Sequence, residues 1–316
     1  MTFKKGFIQA LHIIGILLFI YILSNVNWNK FIGIIKDLNV LYFILIFGVL
    51  LLVEGVRAIV IKGLLLMSGT NMKYHDILLI CLSSSFWANI TPGRVGEFYR
   101  SRYFPLDLTK SAAIVVTDRV LYGLCAVMSA LFIFILRNYS LVITAMLVTG
   151  YLMTFTAFFF LVKYFSLNEN IRKFIPFTPI QVRPMIYILT VLSAFVNSLL
   201  FIYWSHLVLT GLVGIDTEYG STIILISMIS VTNILPVTIS GLGTREAITA
   251  HYLNIAESEA VVFGLITLVQ SIVIMSMLSL VIWLLSDKYL LKKKEWIITQ
   301  KDHRKEPLPS ETAQEI

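Results

Sequence analysis

The sequence has few charged residues and almost no cysteine. Charged side chains make up 14% of its 316 residues, whereas soluble domains contain about 25%. Hydrophobic residues account for 58% of the chain, and the mean hydropathy is +0.85. This composition excludes an ordinary soluble domain and indicates an integral membrane protein.

Motifs for metal binding and catalysis are also missing. Cys81 and Cys125 both lie in apolar runs, where cysteine behaves as a small hydrophobe. The histidines are scattered, and the chain has no zinc-ligand spacing, Walker loop or nucleophile elbow. We therefore expect no catalytic residue, no metal and no cofactor. The net charge of +7 comes mainly from bases in loops between apolar runs, which is typical of membrane proteins and argues against nucleic-acid binding.

Six apolar runs are long enough to cross a bilayer, since a spanning helix needs about 20 such residues. They cover residues 7–24, 38–61, 111–136, 141–162, 185–209 and 260–285. Two further runs, residues 77–90 and 222–235, contain only 14 residues each. Their length favours re-entrant or broken helices, and the alternative is that both cross fully, which makes eight spans.

Lysine and arginine indicate the orientation of these spans. Bases lie at Lys4 and Lys5, after the second and fourth spans, and at residues 292–294 after the last span. The loop after the fifth span contains two acids and no base. Because basic loops stay on the cytoplasmic side, both termini are expected to be cytoplasmic, in a plasma membrane.

Both short runs lead into an Asn-Ile-x-Pro motif. The motifs are Asn89-Ile90-Thr91-Pro92 and Asn233-Ile234-Leu235-Pro236, and they are 144 residues apart. Each half then reads span, span, re-entrant element, span, and the odd number of crossings in the first half inverts the second. This pattern is typical of inverted-repeat transporters. We predict an all-α, polytopic bundle of six full spans plus two re-entrant elements. Its parts are a first repeat at 1–136, a second repeat at 137–287 and a disordered cytoplasmic tail at 288–316.

Charged residues follow the first short run. Pro92 ends a helix, and Gly93 and Gly96 weaken one, so a break is predicted there. Chain that restarts at this point presents free amide groups that suit a phosphate or carboxylate. The third-residue spacing of Arg94, Glu97 and Arg100 places them on one helix face, directed at a protein interior or a water cavity. The alternative is a solvated cytoplasmic loop.

The second motif, "SGLGTRE", predicts a similar break and restart in the other half. Gly241 and Gly243 permit a tight backbone, and Arg245 and Glu246 begin the next helical stretch.

Two acid–base pairs lie within the apolar runs. Adjacent residues point in different directions on a helix, so Asp118 and Arg119 need separate partners. The expected partner of Arg119 is Glu97 or a lipid phosphate. Glu54 and Arg57, one turn apart, either line a polar path or neutralise each other near the inner interface.

The segments "NITPGRVGEFYRSRYF", "TDRVLYG" and "LPVTISGLGTREA" resemble the signature segments of the lysylphosphatidylglycerol synthase transmembrane family, also called flippase-like domain proteins. The resemblance covers nearly the whole chain, with one departure, because "VTIS" separates Pro236 from Gly241 where the family often has a glycine pair. Together with the motif reading, it implies a substrate-binding set of Asn89, Pro92, Gly93, Arg94, Gly96, Glu97, Arg100, Asp118, Arg119, Asn233, Pro236, Gly241, Gly243, Arg245 and Glu246.

The resemblance also implies a function. Bifunctional members join this membrane region to a cytosolic aminoacyl-transferase domain and move the product lipid between leaflets, and stand-alone members are linked to polyprenyl-lipid sugar pathways. We expect a flippase or transporter for an anionic, aminoacylated or polyprenyl-phosphate-linked lipid, working with a separate lipid-modifying enzyme or glycosyltransferase. The alternative is a membrane subunit or enzyme of lipid-linked glycan or aminoacyl-phospholipid synthesis. We expect no enzyme activity, because only a short polar stretch follows the last span and no transferase domain is visible.

Overall fold

A computed structural model describes residues 32–33, 36, 39–138, 183–234 and 243–303. The regular elements within these ranges are all helical. The α-helices are α1 (Val40–Met67), α2 (Tyr74–Ile90), α3 (Leu108–Asn138), α4 (Pro184–Leu207), α5 (Tyr219–Ile234), α6 (Thr244–Leu253), α7 (Glu257–Leu268) and α8 (Met275–His303). A 3₁₀ segment covers Pro92–Tyr103, and π-helical segments cover Val208–Val213 and Val269–Ile274.

Four helical stretches are long and apolar enough to cross a membrane. They are Val40–Met67, Leu108–Leu131, Pro184–Val213 and Glu257–Thr299. These match four of the six predicted spans, and the other two, residues 7–24 and 141–162, lie outside the described residues. The prediction of an all-helical, multi-pass membrane protein is therefore confirmed, while the total number of crossings stays a prediction.

The first short run forms a hairpin, in which α2 and the 3₁₀ segment pack against each other. Thr91 between them has extended backbone angles, φ −103° and ψ 138°. The ring of Trp87 stacks on that of Tyr99 with centroids 4.9 Å apart, so the chain reverses direction at the break. The predicted interruption at Pro92 is confirmed. We call residues 74–103 the first hairpin.

The second short run lies in α5, which forms a similar pair with the next helix, α6. Helix α6 packs against α5, and we call this pair the second hairpin. The residues that connect them, 235–242, lie outside the described part of the chain and include Pro236 and Gly241.

The helices of the two halves pack crosswise. Helix α1 packs along α4, α2 packs on α8, and α5 packs on α3. The first hairpin therefore lies against α8, and the second hairpin lies against α3. Exposed apolar side chains on the outer faces, such as Leu41, Leu52 and Leu285, cover surfaces that suit contact with lipid.

The last helix extends further than the sequence indicates. We expected disorder from residue 288, but residues 288–303 continue α8. Tertiary contacts account for this difference: Tyr289 Oη donates a 2.9 Å hydrogen bond to Asp76 Oδ1, and Lys294 Nζ donates one of 2.9 Å to the carbonyl of Arg102. Leu290 is also buried, so this part of the helix packs against the first hairpin.

Candidate functional site

Five charged side chains from three elements meet beside the first hairpin. The charge network consists of Arg57 of α1, Glu97 and Arg100 of the 3₁₀ segment, and Asp118 and Arg119 of α3. Three of them, Glu97, Arg100 and Asp118, are at most 3% exposed. Because three positive groups surround two negative ones, the described network carries a formal charge of +1.

Arg57 joins both carboxylates of the network. Its Nη2 donates to Asp118 Oδ2 at 2.8 Å and to Glu97 Oε2 at 3.1 Å, and its Nε donates to Asp118 Oδ2 at 3.0 Å. Arg119 Nε donates to Glu97 Oε2 at 2.8 Å. The adjacent Asp118 and Arg119 thus have different partners, as predicted, and the predicted contact between Arg119 and Glu97 is confirmed.

Arg100 is incompletely paired although it is fully buried, at 0% exposure. Its Nη1 donates to Asp118 Oδ2 at 3.3 Å, which is a long bond for a charged pair. Within the described part of the chain, its Nε and Nη2 have no hydrogen-bond partner. A buried donor without an acceptor is costly, and more so when it is charged. The Nε–Nη2 edge of Arg100 therefore lacks an acceptor among the described residues.

The turn of the first hairpin sets the position of Glu97. Thr91 Oγ1 donates to the carbonyl of Trp87 at 2.8 Å and accepts from the Gly96 amide at 2.6 Å. A Cβ on Gly96 would overlap the Trp87 carbonyl, which is rigid backbone. Only glycine therefore allows this close approach, which directs the next residue, Glu97, toward α1 and α3.

The second motif forms a smaller charged group at the start of α6. Gly243 has φ 86°, which favours glycine, and its amide donates to Glu246 Oε2 at 2.6 Å. Arg245 Nη2 donates to Glu246 Oε1 at 3.0 Å and to the carbonyl of Gly264 at 2.7 Å. A Cβ on Gly264 would overlap Glu246 Oε1, so the pair occupies a space left by a missing side chain.

The remaining predicted site residues have other positions. Asn89 Nδ2 donates to the Ser271 carbonyl at 2.9 Å and to Ser276 Oγ at 3.0 Å, so it binds the region of the second π-helical segment and is not part of the charge network. Pro92, Gly93 and Arg94 lie in the 3₁₀ segment and Asn233 near the end of α5, but their side chains are outside the described part of the structure. Pro236 and Gly241 are outside it altogether.

Arg57 was absent from the set of binding residues predicted from sequence. The signal was present, because an arginine inside an apolar run requires a partner. The nearest acid in sequence is Glu54, and a self-neutralised pair with it was one interpretation. The hydrogen bonds of Arg57 go instead to Glu97 and Asp118, and Glu54 Oε2 has no hydrogen-bond partner among the described residues.

The fold and the charge network define a class, a helical membrane protein with buried ion pairs beside a broken, hairpin-forming helix. The chain belongs to the family of the lysylphosphatidylglycerol synthase transmembrane region, whose family model matches residues 7–282. The resemblance stated from the signature segments is thereby confirmed. No curated protein and no solved structure matches the chain. The family's description connects this membrane region with the synthesis of an aminoacylated phospholipid.

Proposed function

We propose that the protein moves a lipid with an anionic, phosphate-bearing headgroup between the leaflets of the membrane. The headgroup binds at the charge network, and the acyl chains stay in the bilayer. The observation that carries this proposal is the unpaired Nε–Nη2 edge of the buried Arg100.

The geometry of guanidinium suits this role. Two adjacent N–H groups form a planar fork that matches two oxygens of a phosphate, and charge-assisted bonds of this kind are the strong ones. Arg119 is 32% exposed in its side chain, so it lies on the accessible side of the network and can meet the headgroup first.

The crosswise packing of the halves supports transport by alternating access. Ser83 of the first hairpin hydrogen-bonds Ser286 of α8 at 3.1 Å, and Ser227 of the second hairpin donates to the Ala126 carbonyl of α3 at 2.6 Å. Ser83 and Ser227 each precede the asparagine of their motif by six residues. We infer that residues 1–136 and 137–287 are inverted repeats and that both hairpins are re-entrant, an arrangement used by secondary transporters.

The same proposal includes the setting of the protein. It works in the plasma membrane with cytoplasmic termini, as a transporter and not as an enzyme. A separate lipid-modifying enzyme or glycosyltransferase provides or uses the lipid that it moves.

A transport assay with purified protein in liposomes tests the proposal. The labelled lipids are phosphatidylglycerol, its lysyl derivative, a polyprenyl phosphate and, as a lipid without phosphate, a neutral glycolipid. Arg100→Lys keeps the charge but removes the fork. Because a hydrogen bond to a charged group contributes about 1.5–3 kcal/mol, transport of the phosphate-bearing substrate should fall about ten- to hundredfold.

The matched control is Arg102→Lys, the same change two residues later at an exposed position of the 3₁₀ segment. It should leave transport nearly unchanged. Equal loss in both variants, or a neutral glycolipid moved as fast as the phosphate-bearing lipids, would contradict the assignment of Arg100.

A further inference from the structure

The end of α8 carries basic side chains that the charge network does not use. Residues 286–299 contain four lysines, Lys288, Lys292, Lys293 and Lys294, and two acids, Asp287 and Glu295. One acid is already occupied, because Asp287 Oδ1 accepts a 2.6 Å hydrogen bond from Tyr103 Oη. Among the described residues, the first three of these lysines form no ion pair. This part of the helix therefore has an excess of positive charge.

One face of α8 packs against the first hairpin. Residues three or four positions apart lie on the same face of a helix. The side chains that follow one another at these steps and contact the hairpin are Trp283, Ser286, Leu290 and Lys294. The ring of Trp283 lies 5.4 Å from that of Trp87, Ser286 hydrogen-bonds Ser83, and Lys294 Nζ donates to a carbonyl of the 3₁₀ segment.

The opposite face of α8 is exposed along its whole length. Successive residues are about 100° apart around a helix, so Lys288 lies about 200° from Leu290 and points away from the hairpin. The exposed residues that share this face, again at steps of three or four, are Val281, Leu285, Lys288, Lys292, Trp296 and Thr299. Leu285 is 80% exposed and Trp296 is 54% exposed. The face is apolar up to Leu285 and basic beyond it, and we call Lys288, Lys292 and Trp296 the basic face.

Distances along the helix place these lysines at the level of lipid headgroups. An α-helix rises 1.5 Å per residue, so Lys288 lies about 4.5 Å beyond Leu285 and Lys292 about 10.5 Å beyond it. The headgroup region of one leaflet is about 5–8 Å thick. Lysine side chains also extend their ammonium groups toward the headgroups along their flexible stems. When Leu285 contacts acyl chains, both ammonium groups are therefore within reach of lipid phosphates.

A third cation lies beside the basic face. Lys293 Nζ is 5.2 Å from the centroid of the Trp296 ring, which is a cation–π contact. Tryptophan is enriched where a membrane meets water, because its ring has an apolar body and a polar N–H group. Glu295 is the one described acid on this side of the helix, and three lysines outweigh it.

We propose that the basic face binds anionic phospholipid headgroups of the leaflet at the C-terminal end of α8. This second lipid site is separate from the charge network and does not depend on the proposed transport. Anionic lipids attract lysines that lie next to the membrane surface, and Val281 and Leu285 provide contact for the acyl chains of the same lipid. An acidic protein surface also attracts lysines, but the continuation of the basic face into exposed apolar side chains favours a lipid.

The position of the site gives it a role in the fold. The bound lipid supports α8 on the side opposite to the first hairpin, whose residues hold the other side of the helix through Asp76, Tyr103 and a backbone carbonyl. The lipid composition of this leaflet therefore acts on the contacts between α8 and the first hairpin.

Amide hydrogen exchange of the full chain in nanodiscs tests the proposal. One set of discs contains phosphatidylcholine alone, and the other contains phosphatidylcholine with phosphatidylglycerol. In the anionic discs, exchange over residues 286–299 should slow by up to about thirtyfold, the ratio that corresponds to two lysines at an anionic surface. Salt at about 1 M should remove most of this protection, because it shortens the Debye length to about 3 Å.

The double variant Lys288→Gln with Lys292→Gln should lose the protection. The matched control is Lys73→Gln with Lys110→Gln, which removes the same charge beside the starts of α2 and α3 and should keep it. Equal loss in both double variants would show a general attraction of bases to the surface and would overturn the site.

Two further outcomes would also overturn the proposal. Protection confined to residues 94–103 would place the anionic lipid at the charge network alone. Protection of residues 286–299 by soluble polyglutamate, but not by phosphatidylglycerol, would assign the basic face to an acidic protein partner.

Discussion

Asp118 is the residue on which most of the charge network depends. Its Oδ2 accepts hydrogen bonds from Arg57 Nε, Arg57 Nη2 and Arg100 Nη1. Asp118 is 3% exposed, so solvent screens these interactions little. Without the charge of Asp118, Glu97 is the single acid left in the described network. It then faces three arginines, Arg57, Arg100 and Arg119.

Asp118→Asn should therefore destabilise the protein strongly. Removing one partner of a buried ion pair costs about 3–5 kcal/mol, because the other charge is left buried and uncompensated. The measurement is thermal unfolding of the purified protein in detergent, followed by tryptophan fluorescence.

Asp107→Asn is the control for this change. Its pair with Lys110 is 3.8 Å long, and its side chain is 82% exposed, so the cost should be within about 1 kcal/mol. Equal stability of the two variants would show that the network contributes little to the folded state.

At the scale of elements, the second π-helical segment is held by side chains from other helices. A π-helical segment widens the helix and is often found at functional positions. Asn89 at the end of α2 binds the Ser271 carbonyl and Ser276 Oγ, and Trp204 Nε1 of α4 donates to Gln270 Oε1 at 3.1 Å. The Asn89 bonds connect the tip of the first hairpin to this segment and to the start of α8, and the Trp204 bond connects α4 to the same segment.

Asn89→Ala should loosen that segment. The change removes two hydrogen bonds, each with a net contribution of about 0.5–1.5 kcal/mol, and amide hydrogen exchange over residues 269–274 should accelerate accordingly. Mass spectrometry of the corresponding peptide measures the change.

The same substitution at Asn39 is the comparison. Asn39 Oδ1 accepts from the Tyr42 amide at 3.1 Å at the start of α1, so Asn39→Ala should affect exchange there and not at residues 269–274. Unchanged exchange at 269–274 in Asn89→Ala would show that the asparagine does not hold the segment.

At the scale of the whole molecule, the two hairpins determine the topology. A re-entrant hairpin begins and ends on one side of the membrane, whereas a full crossing separates its ends. His75 lies at the start of the first hairpin and Asp107 follows its end. Asp216 and Glu257 flank the second hairpin, and all four residues are exposed.

Single cysteines at these positions, with Cys81 and Cys125 replaced by alanine, should label in two groups with a membrane-impermeant maleimide. His75→Cys and Asp107→Cys should react only from the cytoplasmic side, and Asp216→Cys and Glu257→Cys only from outside. Eight full spans predict instead that the members of each pair react from opposite sides. That outcome would remove the basis for the inverted repeat.

Much of the fold could be predicted from local features of the sequence. The length of the apolar runs indicated the helices α1, α3, α4 and the long closing stretch, because crossing a bilayer is mainly a question of length and hydropathy. Pro92 marked the break between α2 and the 3₁₀ segment, because its ring prevents an ordinary helix from continuing. The extension of α8 to His303 was missed, because contacts of Tyr289 and Lys294 with the first hairpin support it.

The candidate site was predictable only in part. An arginine or acid in an apolar run must have a partner, which identified Glu97, Arg100, Asp118 and Arg119 as members of a site. The partners themselves come from three elements, and sequence distance does not predict them. Arg57 bypasses Glu54, three residues away, and binds Glu97 and Asp118, which lie 40 and 61 residues further along the chain.

The sequence by itself determined the membrane class, the family, the broken helix and the charged residue types of this protein, because each depends on short stretches of chain. Tertiary structure alone decided which charges pair, and that Arg100 Nε and Nη2 have no acceptor among the described residues. These features depend on how α1, α3 and the first hairpin pack together. A buried charge is stabilised by whichever partner the packing brings within about 3 Å, and not by the nearest one in sequence.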